Sequence, residues 1–297
     1  MTAATAHSDP DLPDGVSARG VTDADLAPAM ALSAEAGWNQ IEADWRIFLD
    51  LGNVIGLERG GRLIATAATL PFAPRFAWIS MVLVTAAERR RGLARWLLRH
   101  CVVDLVRRGL VPVLDATPAG RAVYLGLGFH DGWGMRRLVG RQVRPPTDAA
   151  ATDRVDVRGV APADWPRLIA YDAAVFGADR SALLRRLGRR LPAAALIAER
   201  GGRLAGLVLG REGRVMNQLG PLAADDDTVA RALLARAFAA VAPPMTIDVS
   251  DRHPSLGNWL AACGFVVERP YTRMMHGTHV AFDDGTRLFA IAGPELG

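Results

Sequence analysis

Lysine is absent from all 297 residues, so every one of the 35 basic side chains is an arginine. Set against 31 acidic residues they leave a net charge of +4, too small over this length to require a nucleic-acid partner. Cysteine is scarce: Cys101 and Cys263 lie in the apolar strings RHCVVDLV and WLAACGF. Two such residues cannot build a disulfide scaffold, and they fit a reducing cytosol. No apolar run approaches the ~18 residues that cross a bilayer, which argues against a membrane protein. There is no Cys-x-x-Cys, and the six His are scattered apart from His276-x-x-His279. A metal site needs three or four convergent ligands, so no metal is expected. Met1 to Leu12 have neither the basic nor the apolar stretch of a signal peptide, and a cytoplasmic protein is expected.

What is present is ordinary for a globular chain, half of it hydrophobic and 22% charged. The length is roughly twice a ~150-residue domain, and the sequence repeats itself. Glu-Arg-Gly-Gly-Arg-Leu occurs at Glu58 to Leu63 and again at Glu199 to Leu204, an offset of 141. Arg19-Gly20-Val21-x-x-Ala24-Asp25 recurs at Arg158 to Asp164, offset 139, and Gly128-Phe129 recurs at Gly264-Phe265, offset 136. Three matches in one order indicate a duplicated unit. The seam falls in 141–153, polar and Pro-containing, as linkers are. The division is therefore a flexible tail at 1–13, a first domain at 14–140, a linker at 141–153 and a second domain at 154–297.

Each unit reads as β-α-α-β-β-β-α-β-α-β. In the first, Val16 to Gly20 forms a strand, Leu26 to Ala36 and Gln40 to Leu51 form helices, and Gly60-Gly61 turns a hairpin. Ala77 to Val84 is nearly all apolar, as a strand buried on both faces should be. A helix to about Arg108, a strand at Leu110 to Asp115, a short helix ending near Gly126 and a last strand from Phe129 complete it.

The passage from the buried strand into the long helix runs Val84-Thr-Ala-Ala-Glu-Arg89-Arg90-Arg91-Gly92-Leu93-Ala94-Arg95. Glycine at a helix mouth among arginines offers free N–H groups, the positive dipole end and cationic side chains. That is anion-binding chemistry, best suited to a pyrophosphate, although a merely solvated Arg-rich helix start would look similar.

Arg89-x-x-Gly92-x-Ala94 after an apolar strand, followed by Tyr124-x-x-Leu127-Gly128-Phe129, resembles the GCN5-related N-acetyltransferase (GNAT) superfamily over residues 16–140. Ala36-Gly-Trp-Asn-Gln40, Asp115-Ala-Thr-Pro-Ala-Gly120 and the closing Ala290-Ile-Ala-Gly-Pro-Glu-Leu-Gly297 are similar to a bacterial subfamily with a second, GNAT-like domain. The resemblance implies an α/β (α+β) fold of two tandem units, each a mixed, mostly antiparallel sheet flanked by helices. It implies acetyl-CoA as co-substrate and N-acetyl transfer to the primary amine of a small-molecule or amino-acid-like acceptor, by direct attack in a ternary complex. Val82, Leu83 and Val84 would pair with the pantetheine arm and Arg89, Arg90, Arg91, Gly92, Leu93, Ala94 and Arg95 would hold the pyrophosphate. Tyr124 would protonate the departing thiolate; a core tyrosine is the plainer alternative. Trp38, Asn39 and Gln40 are the acceptor-site candidates, and Glu35, Glu42 and Asp44 weaker candidates for the base.

At offset 136 the second copy keeps its apolar positions but replaces Arg89-Arg90-Arg91 by Asp225-Asp226-Asp227, Gly92 by Thr228 and Tyr124 by Leu260. Three carboxylates would repel a pyrophosphate, so this unit is expected to bind coenzyme A poorly or not at all. It would complete the acceptor pocket through Phe176-Gly-Ala-Asp-Arg180 and Met216-Asn-Gln218, or serve as scaffold. A non-catalytic acyl-CoA sensor is the rival reading, and the state expected is monomer or homodimer.

Overall fold

A computed structural model describes residues 12–144 and 155–297; the tail to residue 11 and most of the expected linker lie outside the described residues. The first unit comprises β1 (Val16–Gly20), α1 (Leu26–Glu35), α2 (Glu42–Leu51), β2 (Asn53–Arg59), β3 (Arg62–Phe72) and β4 (Phe76–Val84). It continues with α3 (Leu93–Arg107), β5 (Val111–Ala116), α4 (Pro118–Leu125) and β6 (Phe129–Gly140). The second repeats the plan with β7 (Asp156–Gly159), α5 (Trp165–Phe176), α6 (Ser181–Arg190), β8 (Leu196–Arg200), β9 (Arg203–Arg211) and β10 (Asn217–Ala224). Then come α7 (Asp227–Ala240), β11 (Met245–Ser250), α8 (Pro254–Ala262) and β12 (Phe265–His276), and a strand without counterpart, β13 (Leu288–Ala290).

The element order is the one the repeats predict, down to the duplicated hairpin. Gly60 and Gly61 have φ of +55° and +75°, and Gly201 and Gly202 have +57° and +75°. Those left-handed angles form a two-residue turn whose twist matches its strands, and glycine adopts them without strain. β4 is buried along nearly its whole length, as its unbroken apolar sequence requires.

The sheet departs from two separate units. Its 13 strands run β1-β2-β3-β4-β5-β12-β6-β11-β13-β10-β9-β8-β7. Each unit's sixth strand has changed places: β12 pairs with β5 of the first unit, β6 with β11 of the second, and β6 with β12, all antiparallel. A duplicated ion pair locks the exchange. Arg273 of β12 binds Asp115 of β5 through two hydrogen bonds of 2.9 and 3.0 Å, and Arg137 of β6 binds Asp248 of β11 through two of 2.8 Å. A fork of parallel N–H donors on a carboxylate fixes position as well as charge, so these pairs set the register. The Arg273 guanidinium also lies 4.4 Å from the ring centres of both Trp78 and Trp133.

One apolar core crosses between the units, with Trp45 and Trp78 from the first and Phe176, Leu184, Leu209 and Leu296 from the second. Asp44 of α2 reaches into the second unit, paired with Arg190 at 2.6 Å and with Arg211, which in turn binds Glu295. The packing therefore runs across the boundary expected at residue 140.

Candidate active site

β4 and β5 are parallel neighbours over only three pairs, Phe76 to Trp78 against Val111 to Val113. Beyond Trp78 they part. Met81 breaks the β4 ladder with a left-handed φ of +51°, and its carbonyl accepts the Thr66 hydroxyl at 2.9 Å. From Ile79 onward the β4 edge turned toward β5 has no strand partner, which leaves main-chain groups open to an extended ligand.

The second unit has the same wedge, filled. β10 and β11 pair over Asn217 to Leu219 and then diverge, and β13 enters between them, with Ala290 opposite both Leu222 and Val249. Leu288, Phe289 and Ala290 are buried there. The opening that stays free in the first unit is occupied in the second by the chain itself.

The loop after β4 repeats this contrast. Gly92 is the N-cap of α3 with φ +81°, and a Cβ there would meet nothing within 4 Å. Glycine is thus required by backbone conformation and not by crowding within the protein. The first internal bond of α3 runs from the Trp96 N–H to the Gly92 carbonyl at 3.0 Å, and no side chain caps the turn before it. In α7 the N-cap is Asp226, whose carboxylate accepts the Val229 N–H at 3.0 Å and binds Arg200 at 2.7 Å. Cap for cap, Asp226 stands opposite Gly92, a shift of two residues from the sequence alignment. The second unit puts its own carboxylate where the first leaves room for an anion.

A cavity of about 620 Å³ lies over the open wedge. Val82, Leu83, Val84, Arg89, Arg90, Gly92, Leu93, Ala94 and Arg95 line it. Arg91 does not; its guanidinium turns back to Glu88 at 2.9 Å. Arg89 donates to the Val84 carbonyl at 3.1 Å, tying the loop to the strand.

A second cavity, of about 380 Å³, adjoins the first, since Trp38 and Val82 line both. Tyr124 of α4 lines it, and burial pushes its phenol above the ordinary tyrosine range. At neutral pH it therefore holds its proton. Trp38, Asn39 and Gln40 all line this cavity, in different ways. The Asn39 amide docks the second unit through both its ends: it donates to the Met216 carbonyl at 2.8 Å and accepts the Val215 and Met216 N–H groups at 2.8 and 3.1 Å. Gln40 donates to Glu295 at 2.8 Å, while its Oε1 is buried without a partner.

None of the weaker carboxylate candidates lines this cavity. Glu35 accepts the Ala86 N–H at 2.6 Å and the Thr85 hydroxyl at 2.9 Å, bonds that lower its pKa and pin the loop. Glu42 pairs with Arg46 at 2.7 Å. Burial alone would raise the Asp44 carboxyl, but Arg211 and Arg190 hold it below its usual value.

The second unit supplies much of the cavity wall, but of the residues expected there only Met216 lines it. Phe176 is in the core and Arg180 is buried against Asp172 at 2.8 Å. Instead, Glu268, Arg269 and Tyr271 of the exchanged β12 face the cavity, with Val215, Met216 and Glu295. Burial pushes the Tyr271 phenol up to about 12. Sequence reasoning missed these residues because nothing local marks β12 as a neighbour of β5. The one available signal was the recurrence of Arg137 as Arg273 at the same offset as Gly128-Phe129. Among the described residues no three His, Cys, Asp or Glu side chains gather as a metal site, and no helix is long and apolar enough to cross a membrane.

The sequence matches the acetyltransferase (GNAT) family over residues 25–129 and the acetyltransferase (GNAT) domain over residues 168–290. The uncharacterized N-acetyltransferase YitH of Bacillus subtilis is 26% identical over 269 residues, which cover 90% of this chain and 94% of that one. Among solved structures, a Pyrococcus horikoshii protein superposes with a TM-score of 0.79 at 20% identity, covering 98% of this chain and 99% of that one. A tandem GNAT protein from the clavulanic acid biosynthesis pathway gives 0.64 at 16% identity, covering 88% and 98%. With both halves matched and the fold shared along nearly the full length, the chain belongs to the GNAT superfamily as an acetyltransferase with two such domains in tandem.

Proposed function

We propose that the first unit binds acetyl-CoA and transfers its acetyl group to the primary amine of a small acceptor held between the units. The observation that carries this is the joining of the two cavities at Trp38 and Val82, with α4 lining both, Tyr124 in the smaller and Ala122 and Val123 in the larger. The larger cavity fits the cofactor on its own chemistry: an uncapped helix start for the pyrophosphate, Arg89, Arg90 and Arg95 for its charge, and the unpaired β4 edge for the pantetheine amides. Acetyl-CoA supplies the thioester; the remaining work falls to the chain.

Seating amine and thioester together removes an association cost worth up to ~7–11 kcal/mol of barrier. A main-chain N–H of the bulged β4 end would polarise the thioester carbonyl. The amine, having lost a proton to solvent or a cavity carboxylate, forms the new C–N bond as the C–S bond breaks. The phenol of Tyr124 passes its proton to the thiolate and regains one from those the amine releases. A tyrosine held protonated by burial suits that step. The second unit would wall the acceptor in with residues of β12 and take no cofactor.

The test is thiol release from acetyl-CoA against a panel of amines. Tyr124→Phe should lower kcat by about 10²-fold or more while the Kd for acetyl-CoA stays within a factor of about three. An unchanged kcat would remove Tyr124 from the chemistry. A subtler variant probes position alone. A Cβ on Gly120 would come within 2.9 to 3.1 Å of the Tyr124 ring and hydroxyl. Gly120→Ala is therefore expected to displace the phenol and cut kcat by about tenfold, with acetyl-CoA binding preserved.

A further inference from the structure

Along β12 the register with β6 slips: Val267 lies opposite Leu138 and Arg269 opposite Arg137, so Glu268 has no cross-strand partner. In an unbroken strand Glu268 and Arg269 would point to opposite faces. With the extra residue both line the smaller cavity. Bulges of this kind re-aim side chains, and here the result is a carboxylate and a guanidinium side by side at the wall.

The charges around them are unevenly satisfied. Arg269 sits directly across from Arg137, an unfavourable pairing of like charges on neighbouring strands. Arg137 has the bidentate grip of Asp248 to offset it. Among the described residues the one carboxylate paired with Arg269 is its chain neighbour Glu268, at 3.2 and 3.3 Å and part-exposed, and its guanidinium lies 5.8 Å from the Tyr271 ring centre. Arg141 lines the same cavity. On the donor-seeking side, the Gln40 amide is oriented by its Nε2–H donated to Glu295, so the buried end without a partner among the described residues is the oxygen. The Ser80 hydroxyl, also lining the cavity and 8% exposed, has no partner either.

The cavity thus offers guanidinium to an anion and carboxylate plus amide oxygen to a cation. We propose that the acceptor is a primary amine that also carries an anionic group, a carboxylate or a phosphate. Arg269, with Arg141, binds the anionic group, and Gln40 Oε1 and Glu268 receive the ammonium before it is deprotonated. This rests on the acetyltransferase reading above and adds the acceptor's charge to it.

The experiment measures thiol release by the full chain with matched acceptors: amino acids and β-alanine beside their carboxamides, and phosphoethanolamine beside ethanolamine. Expected is a kcat/KM about tenfold or more higher for an anionic member than for its neutral partner. The carboxylate and phosphate arms separate the two sources of charge. Arg269→Gln should raise KM for the anionic acceptor about tenfold or more with kcat little changed, and abolish the preference, while Arg269→Lys keeps part of it. Acetyl-CoA affinity measured on the same variants checks that they fold. Neutral amines used as well as their acids, or an Arg269→Gln variant with unchanged KM, would overturn the inference and leave the acetyltransferase standing. Acetyl-CoA bound but no thiol released with any amine would sink both.

Discussion

Gly92→Asp should abolish acetyl-CoA binding while leaving the protein folded. The substitution installs in the first unit the cap that the second already carries, for Asp226 holds the N-cap of α7 and Gly92 that of α3. The carboxylate would take the N–H groups that α3 leaves open and set a negative charge against the pyrophosphate. Each charge-assisted hydrogen bond is worth ~1.5–3 kcal/mol, so losing two of them amounts to about 100-fold or more in Kd. An Asp side chain at φ +81° brings some strain, roughly 1–2 kcal/mol, partly offset by the capping bond it makes. Gly92→Asn separates the causes, having the same shape and the same tolerance of left-handed angles without the charge. Calorimetry should find no binding for the Asp variant, at least tenfold better binding for the Asn variant, and melting temperatures within a few degrees of wild type for both. An Asp variant that binds acetyl-CoA like wild type would exclude this loop as the pyrophosphate site.

That contrast between copies was largely legible in the sequence, because it rests on local chemistry: Arg89 to Gly92 in one unit, three aspartates in the other. Element order was legible for the same reason, since the Gly-Gly hairpin turns and the apolar run of β4 act within a few residues. What lay hidden depends on long-range pairing. β12 sits beside β5, with Arg273 and its partner Asp115 158 positions apart in the chain, and only that neighbourhood brings Glu268, Arg269 and Tyr271 to the smaller cavity. The plugging of the second wedge by β13 was equally invisible, because a three-residue apolar strand carries no sign of where it pairs. Asn39 shows the same limit from the other side. An amide in a loop suggested ligand contact, yet both its ends are engaged by the main chain of residues 215–216.

Arg273→Met should cost more stability than any other single change considered, because it strands a carboxylate in the core. Asp115 and Arg273 are 0% and 1% exposed, and each is the other's bidentate partner. Removing one member of such a pair typically costs ~3–5 kcal/mol, whereas replacing both by uncharged groups of similar volume is close to neutral. At roughly 2 °C per kcal/mol for a chain of this size, the single variant should melt about 6–10 °C lower. The double variant Asp115→Asn with Arg273→Met should recover most of the loss, short of the packing of Arg273 between Trp78 and Trp133. Arg137→Met should cost less, since Asp248, though 0% exposed in the twin pair, also accepts the Gln218 amide N–H at 2.8 Å. Function separates this from a general loss of fold. Below the melting range Arg273→Met should loosen the strand that carries Glu268 and Arg269, so the acceptor KM should rise while acetyl-CoA affinity, which the proposed function assigns to β4 and α3 of the first unit, holds. If the single and double variants melt together with the wild type, the ion pairs are bystanders and the exchange is held by backbone pairing and the shared core alone.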